Sequence, residues 1–210
     1  MSHANPLLDR PARGAPRHVG VIGAGSIGPD IAYYLKSALP GLKLTLIDIR
    51  QDAIDAALVR LAGYAEKAVA RGKMKADEAR TALDGLAGST DYATLADCDW
   101  VLEAATEDLA LKRRIFADVE SRVAADAVIT SNTSSLPAAR IFAGLKHPER
   151  ATVTHFFAPA WRNPAVEVID WAGAGPGLVD HLRRVFCATG KLPLVTSDAA
   201  CFMLDRIFDN

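Results

Sequence analysis

The sequence has 210 residues, of which 50% are hydrophobic and 23% are charged, enough to bury the core of one domain, or of one domain and the beginning of another. Its formal net charge of -1 provides no basic field for nucleic acid or acidic lipid, so small molecules are the expected partners. Three widely spaced cysteines fit neither a disulfide framework nor a paired metal site, so we expect a cytoplasmic protein without a metal. No apolar run approaches the ~20 residues of a membrane span.

The chain begins with a segment, residues 1–17, whose prolines and arginines without an apolar core predict a disordered arm. Apolar segments then alternate with stretches of helical period, which is typical of βαβ units around a mainly parallel sheet. We predict a strand at 18–22, a helix at 27–39 and a strand at 42–47. Residues 52–86 are rich in helix-forming side chains and contain Gly72, which predicts two inserted helices joined by a turn.

The second half of the chain continues the same alternation. We predict strands at 100–104, 128–131, 152–157, 166–171 and 192–196. Between them lie predicted helices at 109–123, 136–143 and 178–189, and residues 199–208 predict the beginning of another helix. One domain is therefore expected over residues 18–197.

The first strand is followed by Gly23-Ala24-Gly25-Ser26-Ile27-Gly28, which opens the first helix. In that context Gly23 can make the tight turn, Gly25 can admit a pyrophosphate against the backbone, and Gly28 can pack helix on strand. The helix N-terminus, with Ser26 and Ile27, offers unpaired N–H groups to the phosphates. We therefore predict an α/β fold of the Rossmann type, a doubly wound, mainly parallel sheet with an inserted helical hairpin.

Asp48 stands at the end of the second predicted strand. A carboxylate at that position can accept hydrogen bonds from both hydroxyls of the adenosine ribose. The same charge would repel the additional phosphate of NADP, although Arg50 could offset part of that repulsion. The predicted cofactor is NAD.

Polar residues follow three further predicted strands, at the ends that converge on the ligand crevice of an open α/β sheet. They are Glu103 and Glu107, the run Ser131 to Ser135, and His155 with Glu167 after it. Their order and spacing resemble the 3-hydroxyacyl-CoA dehydrogenase family from residue 18 to the end. The family's E-x-L-x-x-K, SNTSSL, HFFNP and VEVI motifs correspond to residues 107–112, 131–136, 155–159 and 166–169.

The resemblance implies NAD-dependent oxidation of the 3-hydroxyl of a 3-hydroxyacyl-CoA to the 3-keto form, and the reverse, as in the β-oxidation of fatty acids. His155 would be the general base, and Glu167 would fix its tautomer and stabilise the imidazolium. Ser134 would hydrogen-bond the substrate oxygen. By itself, a histidine beside two phenylalanines is also typical of a strand residue without a catalytic role.

The resemblance also implies roles around the cofactor. Asn132 and Glu107 would hold the nicotinamide ribose and amide end, and Lys112 would lie near the mouth shared by cofactor and substrate. The predicted helices at 52–86 match the family's helical arm, which lies over bound acyl-CoA. Residues 198–210 would begin a C-terminal helical domain that this sequence does not otherwise contain, and a homodimer is expected if the full protein has that domain.

Two departures from the family motifs fall near the proposed chemistry. Ala158 stands where the family motif HFFNP has asparagine. The Val-Pro that follows this motif in the family is Ala160-Trp161 here. At the end of the chain Asp205 replaces a family asparagine that contacts substrate and the dyad. An ionised carboxylate only accepts hydrogen bonds, and its charge would raise the pKa of His155. Ala158 is expected to alter the substrate fit, and Asp205 implies either a base that is protonated and weak near neutral pH or a preference for a different substrate.

Three functions remain open from the sequence. The first is the oxidation of a 3-hydroxyacyl-CoA. The second is a dehydrogenase of a related non-CoA hydroxy acid or heterocyclic alcohol, which the altered residues 158–161 and 199–205 favour. The third is a non-catalytic NAD-binding module or fragment, which the missing helical domain and Asp205 favour.

Overall fold

The computed structural model of the chain describes residues 13–39 and 41–202, which contain eight strands and six helices. The strands are β1 (His18–Ile22), β2 (Lys43–Ile47), β3 (Leu86–Ser89), β4 (Trp100–Glu103), β5 (Val128–Ser131), β6 (Ala151–Phe156), β7 (Ala165–Asp170) and β8 (Leu192–Ser197). The helices are α1 (Gly28–Ala38), α2 (Gln51–Ala70), α3 (Ala76–Leu83), α4 (Leu109–Arg122), α5 (Ala138–Ile141) and α6 (Leu178–Ala188). Each predicted strand and helix before residue 198 has a counterpart among them.

The strands form one sheet in the order β3-β2-β1-β4-β5-β6-β7-β8. Strands β1 to β6 are parallel, β7 is antiparallel to β6, and β8 is parallel to β7. The helices α2 and α3 form the predicted hairpin, and Gly72 in the turn between them has a φ of +64°. The predicted α/β fold, with a mainly parallel sheet and an inserted helical hairpin, is confirmed.

Both faces of the sheet are covered, so the residues of its inner strands β1, β2, β4, β5 and β6 are buried at nearly every position. One cluster of buried side chains packs α1, α2 and α6 against the sheet, with Ile31, Leu61 and Phe186 at its centre. A second cluster packs α4 and α5 on the opposite face, around Phe116 and Ile141. Parallel strands covered in this way present their carboxyl ends at one edge of the sheet, and the candidate site lies there.

Strand β3 is absent from the sequence-based prediction. Its four residues, Leu-Ala-Gly-Ser, include no β-branched or aromatic side chain, so propensity gives no strand signal. Tertiary packing determines the strand instead. A Cβ atom at Gly88 would lie 2.2 Å from Cγ2 of Ile54, so the glycine lets α2 pack closely against this edge of the sheet.

Both ends of the chain extend beyond the described residues. Of the predicted arm, Arg17 is joined to the sheet, since its carbonyl accepts a hydrogen bond from the Lys43 N–H at 3.0 Å. The helix predicted at 199–208 is wrong over 199–202, which form a turn with Cys201 and Phe202 at φ values of 58° and 41°. Asp205 and the rest of that prediction lie outside the described residues. Within the described ranges, no helix is both long and apolar enough to cross a membrane.

Candidate active site

The glycine-rich loop, residues 23–28, joins the end of β1 to the first turn of α1. Gly23 has a φ of +108°, and its N–H donates to the carbonyl of Ile47 at 2.7 Å. A Cβ atom at Gly23 would lie 2.5 Å from the carbonyl oxygen of Ala104, and one at Gly28 would lie 1.9 Å from that of Gly23. Both positions require glycine because backbone segments meet there.

The middle of the loop faces open space and presents backbone amide groups to it. A Cβ atom at Gly25 would meet no heavy atom within 4 Å. The N–H groups of Gly25, Ser26 and Ile27 donate to no group in residues 13–39 and 41–202. Unpaired amides beside a glycine at a helix N-terminus are a common phosphate-binding arrangement. The loop therefore fits the pyrophosphate of NAD.

Asp48 directly follows β2 and faces the loop. Its Oδ2 atom accepts a hydrogen bond from the N–H of Ala24 at 2.8 Å, and its Oδ1 atom accepts one from the N–H of Arg50 at 3.0 Å. Each carboxylate oxygen has two lone pairs and can accept a further bond from a ribose hydroxyl. A cavity of about 230 Å³ adjoins Asp48, lined by Ile22, Gly23, Gly25, Ile49, Tyr92, Ala104, Ala105, Thr106, Leu111 and Ile115. This space and its acceptors fit the adenosine half of the cofactor.

The cation that could offset the charge of Asp48 is engaged elsewhere. The side chain of Arg50 forms a two-pronged ion pair with Asp52, with Nε donating to Oδ1 at 2.9 Å and a second nitrogen contacting Oδ2. The Asp48 carboxylate therefore remains the dominant charge beside the ribose position, which favours NAD over NADP.

We expect Asp48→Asn to weaken NADH binding about tenfold, because it removes a charged acceptor for the ribose hydroxyls. Asparagine can still accept the N–H of Ala24, so the loop keeps its anchor. NADPH should lose less affinity, because the repulsion of its additional phosphate is removed as well. Fluorescence titration with both nucleotides measures the change, and Asp55→Asn, on the exposed side of α2, is the matched control. Equal losses for the two nucleotides would contradict the assignment.

His155 and Glu167 lie opposite each other on paired strands. Strands β6 and β7 run antiparallel, and their register places His155 directly across from Glu167. Nδ1 of His155 and Oε2 of Glu167 are 2.8 Å apart. The backbone pairing thus brings the two predicted side chains into hydrogen-bond contact. His155 is only 5% exposed and Glu167 is fully buried.

Aromatic side chains enclose the imidazole of His155. The ring of Phe157 lies 4.4 Å from it between centroids, and the ring of Phe202 lies 5.9 Å away. Low exposure to water strengthens the hydrogen bond between His155 and Glu167. When Nδ1 donates to the carboxylate, the lone pair of the neutral ring lies on Nε2. In that tautomer Nε2 is the ring nitrogen that can accept a proton.

The loop after β5 carries Asn132 and Ser134, and its first residue is fixed by two neighbouring strands. The side-chain oxygen of Asn132 accepts a hydrogen bond from the N–H of Phe156 at 2.8 Å. Its own N–H donates to the carbonyl of Glu103 at 2.7 Å. These bonds hold the loop against the end of β6, which carries His155. Ser134 follows two residues later and is half-buried.

The Glu107 carboxylate anchors the same loop. Its Oε1 atom accepts hydrogen bonds from the Ser135 N–H at 3.2 Å, from the Ser135 hydroxyl at 3.0 Å and from the Thr133 hydroxyl. Burial alone would raise the pKa of Glu107, but the Thr133 hydrogen bond and the charge of Lys112 outweigh it and lower that pKa below its usual value. Glu107 is therefore ionised at neutral pH.

Lys112, which the family resemblance places near the mouth shared by cofactor and substrate, is buried beneath Glu107. Its side chain is 1% exposed, and Nζ donates to Glu103 at 2.7 Å and to the carbonyl of Ala105 at 3.2 Å. Oε2 of Glu107 lies 3.2 Å away. The fully buried Glu103 also accepts the Ser131 hydroxyl at 2.6 Å. Three acceptors therefore surround its ammonium group, and the ion pair with Glu107 joins Lys112 to the loop of Asn132 and Ser134.

Glu103 organises the base of the site, although its place in the sequence predicts only a polar residue at a strand end. The sequence does contain an indication of this role, because a carboxylate at the end of the otherwise apolar strand β4 needs a buried partner. The predicted substrate residue Asp205 lies outside the described residues. The remaining predicted residues all lie at or beside the carboxyl edge of the sheet.

Solved structures with this fold include several dehydrogenases. The chain is 33% identical to the 3-hydroxybutyryl-CoA dehydrogenase of Escherichia coli K12, with a TM-score of 0.84, over 87% of this chain and 38% of that one. It is 33% identical to FadB2 of M. tuberculosis, with a TM-score of 0.87, over 92% and 68% of the two chains. The (S)-3-hydroxybutyryl-CoA dehydrogenase PaaH1 of Ralstonia eutropha gives 28% identity and a TM-score of 0.88, also over 92% and 68%.

The family comparison covers the part of the chain that contains the sheet, the glycine loop and Asp48. Residues 18–199 match the family model of the NAD-binding domain of 3-hydroxyacyl-CoA dehydrogenase. The match covers nearly all described residues, including both strands of the His155–Glu167 pair. The chain therefore belongs to the 3-hydroxyacyl-CoA dehydrogenase family and forms its NAD-binding domain.

Proposed function

We propose that the protein is an NAD-dependent oxidoreductase that oxidises the 3-hydroxyl of a 3-hydroxyacyl-CoA to the 3-keto form, and catalyses the reverse. The observation that carries the proposal is the buried pair of His155 and Glu167, which lies at the same edge of the sheet as the glycine loop. The family resemblance further supports a role in cytoplasmic fatty-acid β-oxidation, and a homodimer in a protein that also has the helical domain.

The proposed mechanism uses His155 as the base. The substrate hydroxyl gives its proton to Nε2 of His155, and the Glu167 side chain stabilises the imidazolium through Nδ1. The half-buried hydroxyl of Ser134 would hydrogen-bond the substrate oxygen as it becomes a carbonyl. Bound NAD would supply the acceptor for the hydride that leaves the carbinol carbon. In the reverse direction His155 returns the proton to the oxygen.

The shape and charge of a second cavity support an acyl-CoA as substrate. A cavity of about 500 Å³ lies between α1 and the helical hairpin, lined by Tyr33, Tyr34, Ser37, Ala38, Tyr64, Lys67, Ala68, Arg71, Lys73, Met74 and Trp161. Its aromatic residues offer ring faces to a base, and its three cations offer charge to phosphates. Coenzyme A carries both groups, which makes it a fitting occupant.

One observation favours a non-CoA substrate, the second function left open. The ring of Trp161 lies 5.5 Å from that of Tyr64 and 6.3 Å from that of Tyr33, between centroids. It is 42% exposed, belongs to the loop after β6 that also contains Ala158, and lines the cavity. An aromatic or heterocyclic hydroxy acid could stack on these rings and pair with the neighbouring cations.

One assay separates the three functions. NADH binding is first titrated by fluorescence, and the nicotinamide absorbance is then followed with acetoacetyl-CoA, with free acetoacetate and with a panel of heterocyclic carbonyl acids. Reduction of acetoacetyl-CoA at a kcat/KM far above that of the free acids supports the proposal. A preference for a free acid supports the second function. NADH binding without turnover of any substrate supports the non-catalytic module.

A further inference from the structure

A cation from the helical hairpin contacts the glycine loop. Arg60 lies in the middle of α2, and one guanidinium nitrogen donates to the carbonyl of Gly25 at 2.9 Å and to that of Ser26 at 3.0 Å. Its Nε atom is buried and has no hydrogen-bond partner among the described residues. A buried donor without a partner costs free energy, so stabilisation of the fold accounts poorly for this side chain.

The two contacts fix the direction of the loop amides. In a trans peptide the C=O and the following N–H point in opposite directions. Because Arg60 holds the carbonyls of Gly25 and Ser26, the N–H groups of Ser26 and Ile27 point away from it. These are two of the amides that donate a hydrogen bond to no described group. Arg60 thereby keeps the phosphate-binding donors of the loop turned outwards.

The first turn of α1 is poorly equipped for an anion without such help. Pro29, in the first turn, has no N–H, so the helix N-terminus offers one donor fewer than usual. Asp30 adds a buried carboxylate in the same turn, 6% exposed, which accepts a hydrogen bond from the hydroxyl of Tyr64 at 3.0 Å. Tyr64 follows Arg60 by one turn of α2. A missing donor and an added negative charge both disfavour a pyrophosphate.

We propose that Arg60 is a positioning residue for the pyrophosphate of the cofactor. It holds the loop carbonyls from the hairpin side, so that the Ser26 and Ile27 amides face the phosphates, and its charge offsets that of Asp30. This inference concerns cofactor binding alone and is independent of which alcohol the protein oxidises. The hairpin then serves the cofactor as well as the substrate.

The test is nucleotide binding by Arg60→Ala, with NADH titrated by fluorescence and with ADP-ribose and adenosine as competitors. We expect NADH and ADP-ribose to bind about tenfold more weakly, because a charge-assisted contact is lost, and adenosine to bind as before, because it has no phosphate. Arg60→Lys should recover part of the loss, since an ammonium group keeps the charge but lacks the planar fork. Both results support the proposal.

The control is Arg114→Ala, which removes the same charge from the exposed side of α4 and should leave all three affinities unchanged. Unchanged NADH binding in Arg60→Ala would overturn the proposal. An equal loss for adenosine would also overturn it, because a merely structural role affects every ligand alike. If Arg60→Ala does not fold, as thermal unfolding would report, the comparison of ADP-ribose with adenosine in Arg60→Lys decides the question in the same way.

Discussion

Replacement of His155 by asparagine is expected to lower the rate of substrate reduction about 10²- to 10⁴-fold, which is the usual contribution of a general acid or base. Asparagine can still hydrogen-bond the Glu167 carboxylate, which lies 2.8 Å from Nδ1 of the histidine, so the strand pairing should persist. It cannot carry the proton that the mechanism assigns to Nε2. Steady-state absorbance at the nicotinamide band measures the loss.

The matched control is His147→Asn, at an exposed histidine that contacts Glu149 on the surface. Neither variant should change the affinity for NADH, because neither residue contacts the glycine loop or Asp48. A loss of turnover in His155→Asn with unchanged NADH binding assigns the residue to chemistry. Turnover that survives His155→Asn at the original rate would refute the assignment of the base.

Lys112→Met is expected to lower the free energy of unfolding by about 3–5 kcal/mol, the usual effect of breaking a buried ion pair. The reason is that Glu103, which is fully buried, would lose the cation 2.7 Å from its carboxylate. A methionine has nearly the same length and leaves little void. Urea denaturation measures the change. Loss of the contact to Glu107 should also loosen the loop of Asn132 and Ser134.

Two variants make this second prediction specific. Arg114→Met changes an exposed cation on the same helix and should cost less than about 0.5 kcal/mol. In the double variant Lys112→Met with Glu103→Gln, the buried charge is removed together with its partner, and more than half of the stability should return. A single Lys112→Met that unfolds like Arg114→Met would show that the buried pair contributes little.

Much of the fold could be predicted from sequence because strand and helix periods are local signals. The glycine loop and Asp48 are local as well, since each follows directly from a strand end. Strand β3 could not be predicted, because it depends on the close packing of Gly88 against Ile54. The short connection between β6 and β7 indicates that these strands are antiparallel, since residues 157–164 are too few for a crossover between parallel strands.

The residues of the site that belong to sequence motifs could be predicted, whereas those that depend on tertiary contacts could not. His155 and Glu167 could be paired only through the family resemblance, because nothing in their spacing fixes the register of the two strands. The burial of Lys112 and the contact of Arg60 with the loop carbonyls depend on how α4 and α2 pack. The hydrophobic periodicity of the sequence gives no information about such contacts between distant elements.

The pairing of β6 with β7 sets which parts of this protein are free to change. Side chains alternate between the faces of a strand, so a shift of register by one residue would turn Glu167 to the other side of the sheet. An insertion within either strand should therefore abolish the dyad outright. Residues 158–161 lie outside both strands, so we expect substitutions there to spare the ladder and the loop that holds Ala158 and Trp161 to diversify. New substrate preferences can arise there while the His155–Glu167 pair stays intact.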